Sequence, residues 1–411
     1  MNAPKIAFRF LSALLLLCFL GDQGIAQSDS GNDKLLPHTL RERPWALTRQ
    51  LQRRPSEAVK QQQYLQTDDL PVLYGHYTRI AYQSWVDDNW EIHLAAGDGD
   101  NPTRLTMHSG DDESPSLGRG CDLIAFNTTR NGNEDIYTME ADGANQRRLT
   151  LDLERDVLPT LSPDRARVAF QSYRDAAEPD IYVIDVADRS VTRLTEYAGY
   201  DGQPNWSTDG QSIAFISDRS GYKNIWTMAA EGTDLQQVTN LYHAAAPKWS
   251  PDGTEIAFAT DDQGTGFTSL WVVDLSSGEI ELIRRPTESD TDAWPGAWSF
   301  DGTYILYEEA TWDYDDGWYI VTSHLDAVHR EQADERYRVL EGGIHMAGCW
   351  SPCDITPPNS QVKPLPSTSI PPVHVNWSGS DDFDPDLEYH LQYRVEDTTE
   401  WIDWEVRSGN I

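Results

Sequence analysis

The sequence predicts an all-β protein: a six-bladed β-propeller with a C-terminal partial β-sandwich module. Three observations lead to this prediction. A motif recurs about every 44 residues, each copy contains short apolar strands separated by turn residues, and six copies are present. The 28 Gly and 23 Pro among 411 residues also disfavour long helices. We therefore expect one closed ring of small sheets to account for most of the chain.

The composition excludes some classes of partner. The chain has 32 Lys and Arg against 67 Asp and Glu, so its formal net charge is -35. Nucleic acids and anionic membrane surfaces are polyanions and would be repelled by such a protein. The 15 Trp, 18 Tyr and 10 Phe argue against a wholly disordered chain. The sequence therefore predicts a folded protein with no nucleic-acid partner.

The N-terminus has the organisation of a targeting segment. Residues 1–26 combine a positively charged start, an apolar run over Phe10–Leu20, and small residues at Gly24 and Ala26. The apolar run is too short to span a bilayer, which needs about 20 residues. We predict a signal peptide, export to the periplasm or the extracellular space, and no membrane span in the mature chain. Residues 27–69 form a polar, locally basic N-terminal arm.

Each repeat contains an anchor residue, an apolar residue two positions later, and an apolar triplet that begins nine positions after the anchor. The anchors are Pro71, Pro115, Pro159, Pro204, Pro247 and Gly296. The triplets begin at Ile80, Ile124, Val168, Ile213, Ile256 and Ile305. A blade cannot bury both faces by itself, so neighbouring blades must stack. We assign residues 70–354 to the propeller and predict that the repeated Trp and Ile-Ala-Phe residues form the core between blades.

Four short strands can be placed within a repeat. The first carries the apolar residue two after the anchor, and turns such as Asp209-Gly210 and Asp252-Gly253 lead into the triplet strand. Asp-Gly pairs tolerate the positive φ that tight hairpins require. The third strand is represented by Ile181-Tyr182, and the fourth ends in segments such as Arg193-Leu-Thr195.

These motifs resemble a known family. Trp249-Ser-Pro-Asp-Gly253, Ile256-Ala-Phe258, Ser217-Asp-Arg-Ser-Gly221, Asp180-Ile-Tyr182 and Arg193-Leu-Thr195 look like the TolB-type propeller repeat. The resemblance covers about two thirds of the chain and is specific to the fold rather than to a function. It implies relatives among periplasmic protein-binding scaffolds and among the propeller domains of prolyl-oligopeptidase-type peptidases. The first two repeats depart from the pattern, and the second has Gly118-Arg119-Gly120 in place of Ser-Pro-Asp.

A seventh copy of the first strand occurs at Gly348–Pro352 without a blade after it. It is either a closure strand that pairs with blade 1 or a remnant that leads into the next domain. Removal of the signal peptide leaves three cysteines, Cys121, Cys349 and Cys353. We predict a disulfide between Cys349 and Cys353, which are close in sequence, with Cys121 as a competitor if the fold brings it near.

Residues 355–411 form a Pro-rich linker and an incomplete module that resembles immunoglobulin-like or fibronectin type III-like domains. Such a sandwich takes about 100 residues, and fewer than 60 remain here, so we expect the natural protein to continue. Four aspartates in this segment are candidate Ca²⁺ ligands, although their spacing fits no EF-hand loop and a solvated acidic turn is the alternative. They are Asp381, Asp382, Asp384 and Asp386.

The sequence contains no G-x-S-x-G, H-E-x-x-H or phosphate-binding glycine motif, so we predict no catalytic residue. Aromatic and acidic residues instead cluster after the second strands of blades 1 and 6, which adjoin when the ring closes. The candidate binding residues are Trp85, Asp87, Asp88, Trp90, Trp312, Asp313, Tyr314, Asp315 and Asp316. Acids in the fourth-strand loops are expected to make the same face negative. The alternative is that these aromatic residues pack under their own loops.

Three histidines, His108, His243 and His345, lie in or near loops of the propeller. Together they would resemble the metal site of propeller-type oligogalacturonide lyases, but they lack the close spacing of metal ligands. We predict no cofactor other than the candidate Ca²⁺.

The function that the sequence favours is an exported, non-catalytic propeller that binds a cationic protein or peptide, with carbohydrate as an alternative ligand. A second hypothesis is the propeller part of a secreted polysaccharide lyase, hydrolase or peptidase whose catalytic region is absent from this chain. A third is a structural module of the cell surface.

Overall fold

The computed structural model describes residues 78–286, 290–314, 318–333, 335–343 and 345–352, together with four short stretches between residues 361 and 404. Regular structure in these residues is β-strand, which confirms the predicted all-β class. No helix within the described ranges is long and apolar enough to cross a membrane.

The strands of the ring form six four-stranded antiparallel sheets, one for each blade. In chain order they are β1 (Thr78–Val86), β2 (Asn89–Ala96) and β3 (Thr103–Arg104) of blade 1; β4 (Asp112–Leu117), β5 (Leu123–Thr128), β6 (Asp135–Glu140) and β7 (Arg147–Arg148) of blade 2; β8 (Asp156–Leu161), β9 (Arg167–Ser172), β10 (Asp180–Asp185) and β11 (Val191–Arg193) of blade 3; β12 (Asp201–Trp206), β13 (Ser212–Ser217), β14 (Asn224–Ala229) and β15 (Gln236–Gln237) of blade 4; β16 (Ala245–Trp249), β17 (Glu255–Thr260), β18 (Ser269–Asp274) and β19 (Ile280–Arg284) of blade 5; β20 (Thr291–Trp298), β21 (Tyr304–Tyr314), β22 (Trp318–His329) and β23 (Arg336–Gly343) of blade 6; and β24 (His345–Pro352), which completes blade 1.

The innermost strands close a ring. Strands β4, β8, β12, β16, β20 and β24 each contact the next one in this order, and β24 contacts β4. The predicted number of six blades is therefore confirmed.

Blade 1 takes its innermost strand from the other end of the ring. Strand β24 pairs antiparallel with β1, from Thr78 opposite Pro352 to Ser84 opposite His345. The seventh copy of the motif is thus a closure strand and not a remnant. Pro71, which was expected to begin blade 1, lies outside the described residues. Trp350 occupies the position of the apolar residue after the anchor, where it is buried and donates a hydrogen bond from Nε1 to Thr78 Oγ1 at 2.8 Å.

The apolar triplets form the core between blades, as predicted. The first two residues of every triplet and the Phe of each Ile-Ala-Phe or Val-Ala-Phe copy have no solvent exposure. Between blades 2 and 3, for example, Ile136 packs with Leu161, Val168 and Phe170 in one cluster. Each blade therefore buries one face against the next blade around the ring.

The hairpins between first and second strands account for part of the acidity of the chain. In blade 4, Ser207 Oγ donates to Asp209 Oδ1 at 2.6 Å, and Gln211 N donates to the same oxygen at 3.0 Å. Gly210 has φ +70°, the left-handed conformation expected for an Asp-Gly turn. Blade 3 places Arg165 at this position, with φ +61°. The turn aspartates are thus structural.

A second unit comprises Asp354–Ile411. Its described strands are β25 (Gln361–Val362), β26 (Trp377–Ser378), β27 (Leu391–Tyr393) and β28 (Ile402–Trp404), which form the antiparallel pairs β25–β26 and β27–β28. The four aspartates that are candidate Ca²⁺ ligands, Asp381, Asp382, Asp384 and Asp386, lie outside the described residues.

Candidate functional site

Antiparallel blades present their connections on two opposite faces of the ring. Loops that follow the second and fourth strands emerge on one face, which we call the loop face (for example residues 105–111 and 149–155). The tight turns between first and second strands and between third and fourth strands emerge on the other, which we call the hairpin face (for example residues 118–122 and 207–211).

Several acids near the loop face are internal ion-pair partners. The second-strand loops supply an arginine that pairs with the first residue of the innermost strand: Arg130 with Asp112, Arg174 with Asp156, and Arg219 with Asp201, at 2.6–2.8 Å. These aspartate side chains have no solvent exposure. The three carboxylates therefore hold their blades together and contribute little to a docking surface.

Aromatic rings complete this arrangement in each of the three blades. In blade 3 the Arg174 guanidinium lies 5.4 Å from the Phe170 ring centroid and 4.8 Å from that of Tyr182. Burial raises the pKa of Asp156, and hydrogen bonds from Ser172 and Arg174 oppose that shift. The Ser217-Asp-Arg-Ser-Gly221 type of motif thus encodes a stacked ion pair in blades 2 to 4.

A second ion pair explains the Arg-Leu-Thr segments. Arg193 at the end of β11 pairs with Asp180 at the start of β10 at 2.6 Å. Thr195 Oγ1 accepts a hydrogen bond from Ile181 N at 3.0 Å and donates to Asp180 Oδ1 at 3.1 Å. The motif therefore fastens the short outer strand to its neighbour.

The predicted aromatic residues of blades 1 and 6 adjoin, as expected from ring closure, but as a core. Trp90, Trp294 and Trp312 are buried in one cluster, against which Trp85 is partly buried. Trp85 and Trp90 are edge-to-face at 5.4 Å. The hypothesis that Trp90 and Trp312 present open binding surfaces is therefore wrong, because their indole rings are occupied by packing. Trp90 and Trp312 instead belong to a core cluster that also includes Ala259 of blade 5.

The acidic partners of this predicted site have separate roles. Asp87 and Asp88 are exposed turn residues between β1 and β2 with φ +56° and +68°, and Asp87 pairs with Arg104 at 2.6 Å. Asp313 and Tyr314 lie at the end of β21, opposite Tyr319 and Trp318 of β22. Asp315 and Asp316 lie outside the described residues.

The sequence analysis did not predict the exposed apolar side chains on the loop face. Among the described residues, the exposed large hydrophobic side chains on this face are Met107, Leu151, Leu153, Tyr222 and Tyr242. Leu153 is 89% exposed, and the rings of Tyr222 and Tyr242 contact each other at 4.5 Å. Their position in the repeat could have identified them in the sequence. All but Tyr222 lie one or three residues after the Leu-Thr or Val-Thr pair that ends a fourth strand.

Among the residues whose side chains are described, no group of three His, Cys, Asp or Glu side chains converges on a possible metal site. His108 is exposed, and its Nδ1 accepts a hydrogen bond from Gly110 N at 3.0 Å. His243 is partly buried, and burial together with the charge of Lys223 lowers its pKa to about 4. The backbone of His345 lies in β24.

The cysteines differ from the prediction. Cys349 is a free thiol, so the expected Cys349–Cys353 disulfide is wrong. Cys121 is disulfide-bonded, and its partner sulfur lies outside the described residues. Cys121 Sγ lies 3.5 Å from the carbonyl oxygen of Ser351 in β24. The sequence spacing favoured the nearest cysteine, whereas ring closure brings the end of the propeller beside the turn of blade 2.

A cavity of about 300 Å³ occupies the centre of the ring. Its wall includes the anchor residues of blades 2 to 6, which are Pro115, Pro159, Pro204, Pro247 and Gly296. It also includes hairpin-face residues such as Arg119 and Pro251, but not the first residues of the innermost strands, such as Asp112 or Asp156. The cavity therefore extends to the hairpin face, away from the acids near the loop face.

A β-bulge before each anchor proline shapes this wall in blades 2 to 5. Ser114, Leu158, Gln203 and Ala246 have φ between +53° and +55°. Their backbone N–H groups are satisfied from the preceding blade: Ser114 N donates to Gln83 Oε1 at 2.7 Å, and Ala246 N donates to Gln203 Oε1 at 2.6 Å. Side-chain amides thus join successive blades around the cavity.

Buried carboxylates with raised pKa values occur, but away from the cavity. Burial raises the pKa of Asp292 to about 7, although Thr268 donates to its Oδ1 from both N and Oγ1. Burial also raises the pKa of Asp326 to about 7, against the opposing effect of Arg338. Neither residue lines the cavity. Both side chains are buried inside the propeller.

The Asp292 carboxyl predicts a pH-dependent stability. Because its folded pKa is raised above the ordinary value of 3.8, the folded state binds this proton more tightly than the unfolded state. The free energy of unfolding that it contributes therefore falls as pH rises from about 4 to above 7. We expect Asp292→Asn to match the parent at pH 4 and to exceed it by about 2–4 kcal/mol at pH 8, since one pKa unit corresponds to about 1.4 kcal/mol.

Chemical denaturation at pH 4, 6 and 8 measures this difference. Asp88→Asn is the control, because Asp88 is an exposed residue of the turn between β1 and β2. An Asp292→Asn variant that is less stable than the parent at pH 8 would contradict the expected sign.

The ring of six four-stranded sheets and its closure strand define the class of this protein as a six-bladed β-propeller. Residues 154–315 match a family model described as the TolB beta propeller domain, PD40. These residues extend from the start of blade 3 into blade 6.

Part of the chain is also similar in sequence to individual proteins. The Tol-Pal system protein TolB of Helicobacter hepaticus is 29% identical over 139 residues, which is 33% of this chain and 33% of that protein. The TolB of a Helicobacter pylori strain is also 29% identical over 139 residues, 33% of this chain and 32% of that protein. The match thus spans about a third of the length of these curated relatives.

Solved structures show the same fold. TolB from Acinetobacter baumannii is 20% identical, with a TM-score of 0.57, over 68% of this chain and 67% of that chain. A putative TolB from Agrobacterium tumefaciens is 15% identical, with a TM-score of 0.51, over 66% of this chain and 91% of that chain.

Proposed function

We propose that this chain is an exported, non-catalytic β-propeller that binds a protein partner through its loop face. The observation that carries the proposal is the group of exposed apolar side chains in the loops of blades 1, 2 and 4. Met107 is 79% exposed, Leu151 65% and Leu153 89%. Exposed apolar groups that recur at one position of successive repeats are typical of a protein-docking surface.

Charge indicates the chemistry of the partner. Asp88, Glu154 and Glu196 are exposed residues of the same face, and the chain carries a formal net charge of -35. An apolar patch rimmed by carboxylates favours a partner with an apolar anchor and a basic rim, because complementary charge speeds association. The loop face thus supports a cationic protein in preference to a carbohydrate.

Export and the absence of catalysis rest on further observations. The predicted signal peptide agrees with a disulfide-bonded Cys121, since disulfides persist in oxidising compartments. The raised-pKa carboxylates are buried in structural contacts away from the cavity. The similarity to Tol-Pal system proteins of Helicobacter supports a protein as the partner of this chain.

Site-specific cross-linking tests this proposal. A photoreactive phenylalanine analogue replaces Leu153 on the loop face or, as a control, Val191, which is 40% exposed on the outer strand of blade 3. In cells that export the protein, we expect a discrete cross-linked product with a partner protein from position 153 only. Its identity comes from mass spectrometry, and its affinity for the purified full chain is then measured.

The doubly substituted variant Met107→Ser and Tyr242→Ser should weaken that affinity by tenfold or more, with the Cys121 disulfide and the unfolding temperature unchanged. Equal cross-linking from both positions, or an unaltered affinity in the folded variant, would exclude the loop face as the docking surface.

A further inference from the structure

The cavity at the centre of the ring, which we call the central channel, has one layer of side chains in which a single residue differs from its equivalents in the other blades. The residue that follows each anchor points inward and lines the cavity: Cys349, Ser116, Thr160, Asn205, Lys248 and Ala297 in order around the ring. Each is partly exposed to the channel except Thr160, which is 8% exposed. We call these six residues the channel layer.

Most polar members of the channel layer accept a hydrogen bond from the next blade. Leu161 N donates to Ser116 Oγ and Trp249 N donates to Asn205 Oδ1, both at 3.0 Å. Leu117 N donates to Cys349 Sγ at 3.4 Å. These bonds satisfy backbone N–H groups at the joint between two blades.

Lys248 breaks this pattern, because an ammonium donates hydrogen bonds and cannot accept them. Its carbonyl oxygen accepts from Trp298 Nε1 at 3.0 Å, but within the described ranges its ammonium has neither a hydrogen bond nor an ion pair. Burial lowers the pKa of Lys248, and the Cys349 thiol is the ionisable group that acts against this shift. The ammonium is thus a donor with three unused N–H groups in a confined channel.

The charges of the cavity wall also favour an anion. Arg119, Lys248 and Glu308 are the charged residues among those described that line it, so two cations face one acid in a chain of net charge -35. Arg119 is exposed at the hairpin face, where the cavity opens. An anion therefore meets one cation at the mouth and a second in the channel layer.

Further donors lie on the same wall. Gln83 Oε1 accepts a hydrogen bond from Ser114 N. The amide nitrogen of Gln83, Nε2, and the hydroxyl oxygen of Ser114, Oγ, have no hydrogen-bond partner among the described atoms. Gln83 has no solvent exposure and Ser114 is 7% exposed. Buried donors without partners are uncommon, and these two belong to residues of the cavity wall.

We propose that the central channel is a carboxylate-binding site, in which the carboxylate pairs with the Lys248 ammonium and its apolar body packs against the anchor prolines. A single ammonium without a nearby guanidinium in its layer suits a monoanion, whereas phosphate dianions recruit several cationic donors. The cavity, at about 300 Å³, admits a small organic acid or the C-terminal end of a peptide. This site is independent of the loop face.

The free Cys349 thiol provides a reporter in the same layer. Iodoacetate and iodoacetamide both alkylate a thiolate: the S–C bond forms as the C–I bond breaks, iodide leaves, and the thiol proton passes to solvent. Only iodoacetate carries a carboxylate. We expect the ratio of the iodoacetate to the iodoacetamide rate constant at Cys349, measured by mass spectrometry on the folded full chain, to fall at least tenfold in Lys248→Met.

Lys223→Met is the matched control. The Lys223 ammonium lies 3.9 Å from the Tyr200 ring centroid, and Lys223 does not line the cavity. Its rate ratio should stay within twofold of the parent. A change in the acidity of Cys349 alters both reagents alike and cancels in the ratio.

Competition identifies the source of the carboxylate. Propionate should protect Cys349 from alkylation, and propionamide should not. If the ligand is the end of a peptide, acetyl-trialanine with a free C-terminus should also protect Cys349, whereas its C-terminal amide should not. If Lys248→Met fails to fold, the propionate and propionamide comparison in the parent decides. The proposal is overturned if neither reagent reaches Cys349, if the ratio is unchanged in Lys248→Met, or if chloride protects as well as propionate, which would indicate an adventitious ion only.

Discussion

Replacement of Trp350 by Ala is expected to lower the free energy of unfolding by about 3–5 kcal/mol, the usual cost of truncating a large buried aromatic residue. Trp350 is 6% exposed, packs with Ile80 and Tyr82 of β1, and bonds to Thr78 Oγ1 through Nε1. It therefore joins the last strand of the ring to the first. Chemical denaturation of the full chain measures the loss.

Two companion variants separate ring closure from general damage. Trp350→Phe keeps most of the packing and loses one hydrogen bond, so a loss of about 1 kcal/mol is expected. Phe300→Ala removes a side chain that is 43% exposed and should change stability by less than about 0.5 kcal/mol. Hydrogen exchange in Trp350→Ala should rise first in β1. Uniform acceleration across all blades would contradict a role in closing the ring.

Replacement of Arg174 by Ala is expected to cost a similar amount, about 3–5 kcal/mol, because it leaves a buried carboxylate without its cation. Arg174 Nη2 lies 2.9 Å from Asp156 Oδ1 and 2.8 Å from Oδ2, and the Asp156 side chain has no solvent exposure. The loss should shrink below about pH 5, where the unpaired carboxyl takes up a proton.

The ion pair of Arg165 and Asp122 provides the control, since its side chains are 36% and 59% exposed. Asp122→Ala should cost less than about 1 kcal/mol, as is typical of surface pairs. Adding Asp156→Asn to Arg174→Ala should restore part of the loss by removing the buried charge. A loss for Arg174→Ala no larger than that for Asp122→Ala would show that this buried pair does not stabilise the blade.

The sequence predicted the fold because the repeat constrains each blade locally. The constant interval between anchor and triplet sets the register of the first two strands, and Asp-Gly turns such as Asp209-Gly210 fix the hairpin between them. Six copies then determine the blade number. The period does not reveal which segment fills the innermost position of blade 1, because β24 and β1 are brought together only by closure of the ring.

The candidate site was predicted less well. Trp90 and Trp312 were placed on adjoining blades correctly, but burial depends on side chains from three different blades, including Trp294 and Ala259. From the sequence, acids such as Asp156 were expected to make the loops negatively charged. In the structure, an arginine 18 residues later neutralises them inside the blade. Local composition cannot show this distinction between a solvated carboxylate and a paired one.

The sequence by itself determined the all-β class, the six blades, the turns and the core residues of this protein, because these follow from short-range periodicity and turn chemistry. The tertiary structure alone decided which strand closes the ring, which acids are paired, which cysteine is free, and that Lys248 shares a channel layer with Cys349. Those properties depend on contacts between residues that are distant in the chain, and closing a ring is what makes them neighbours.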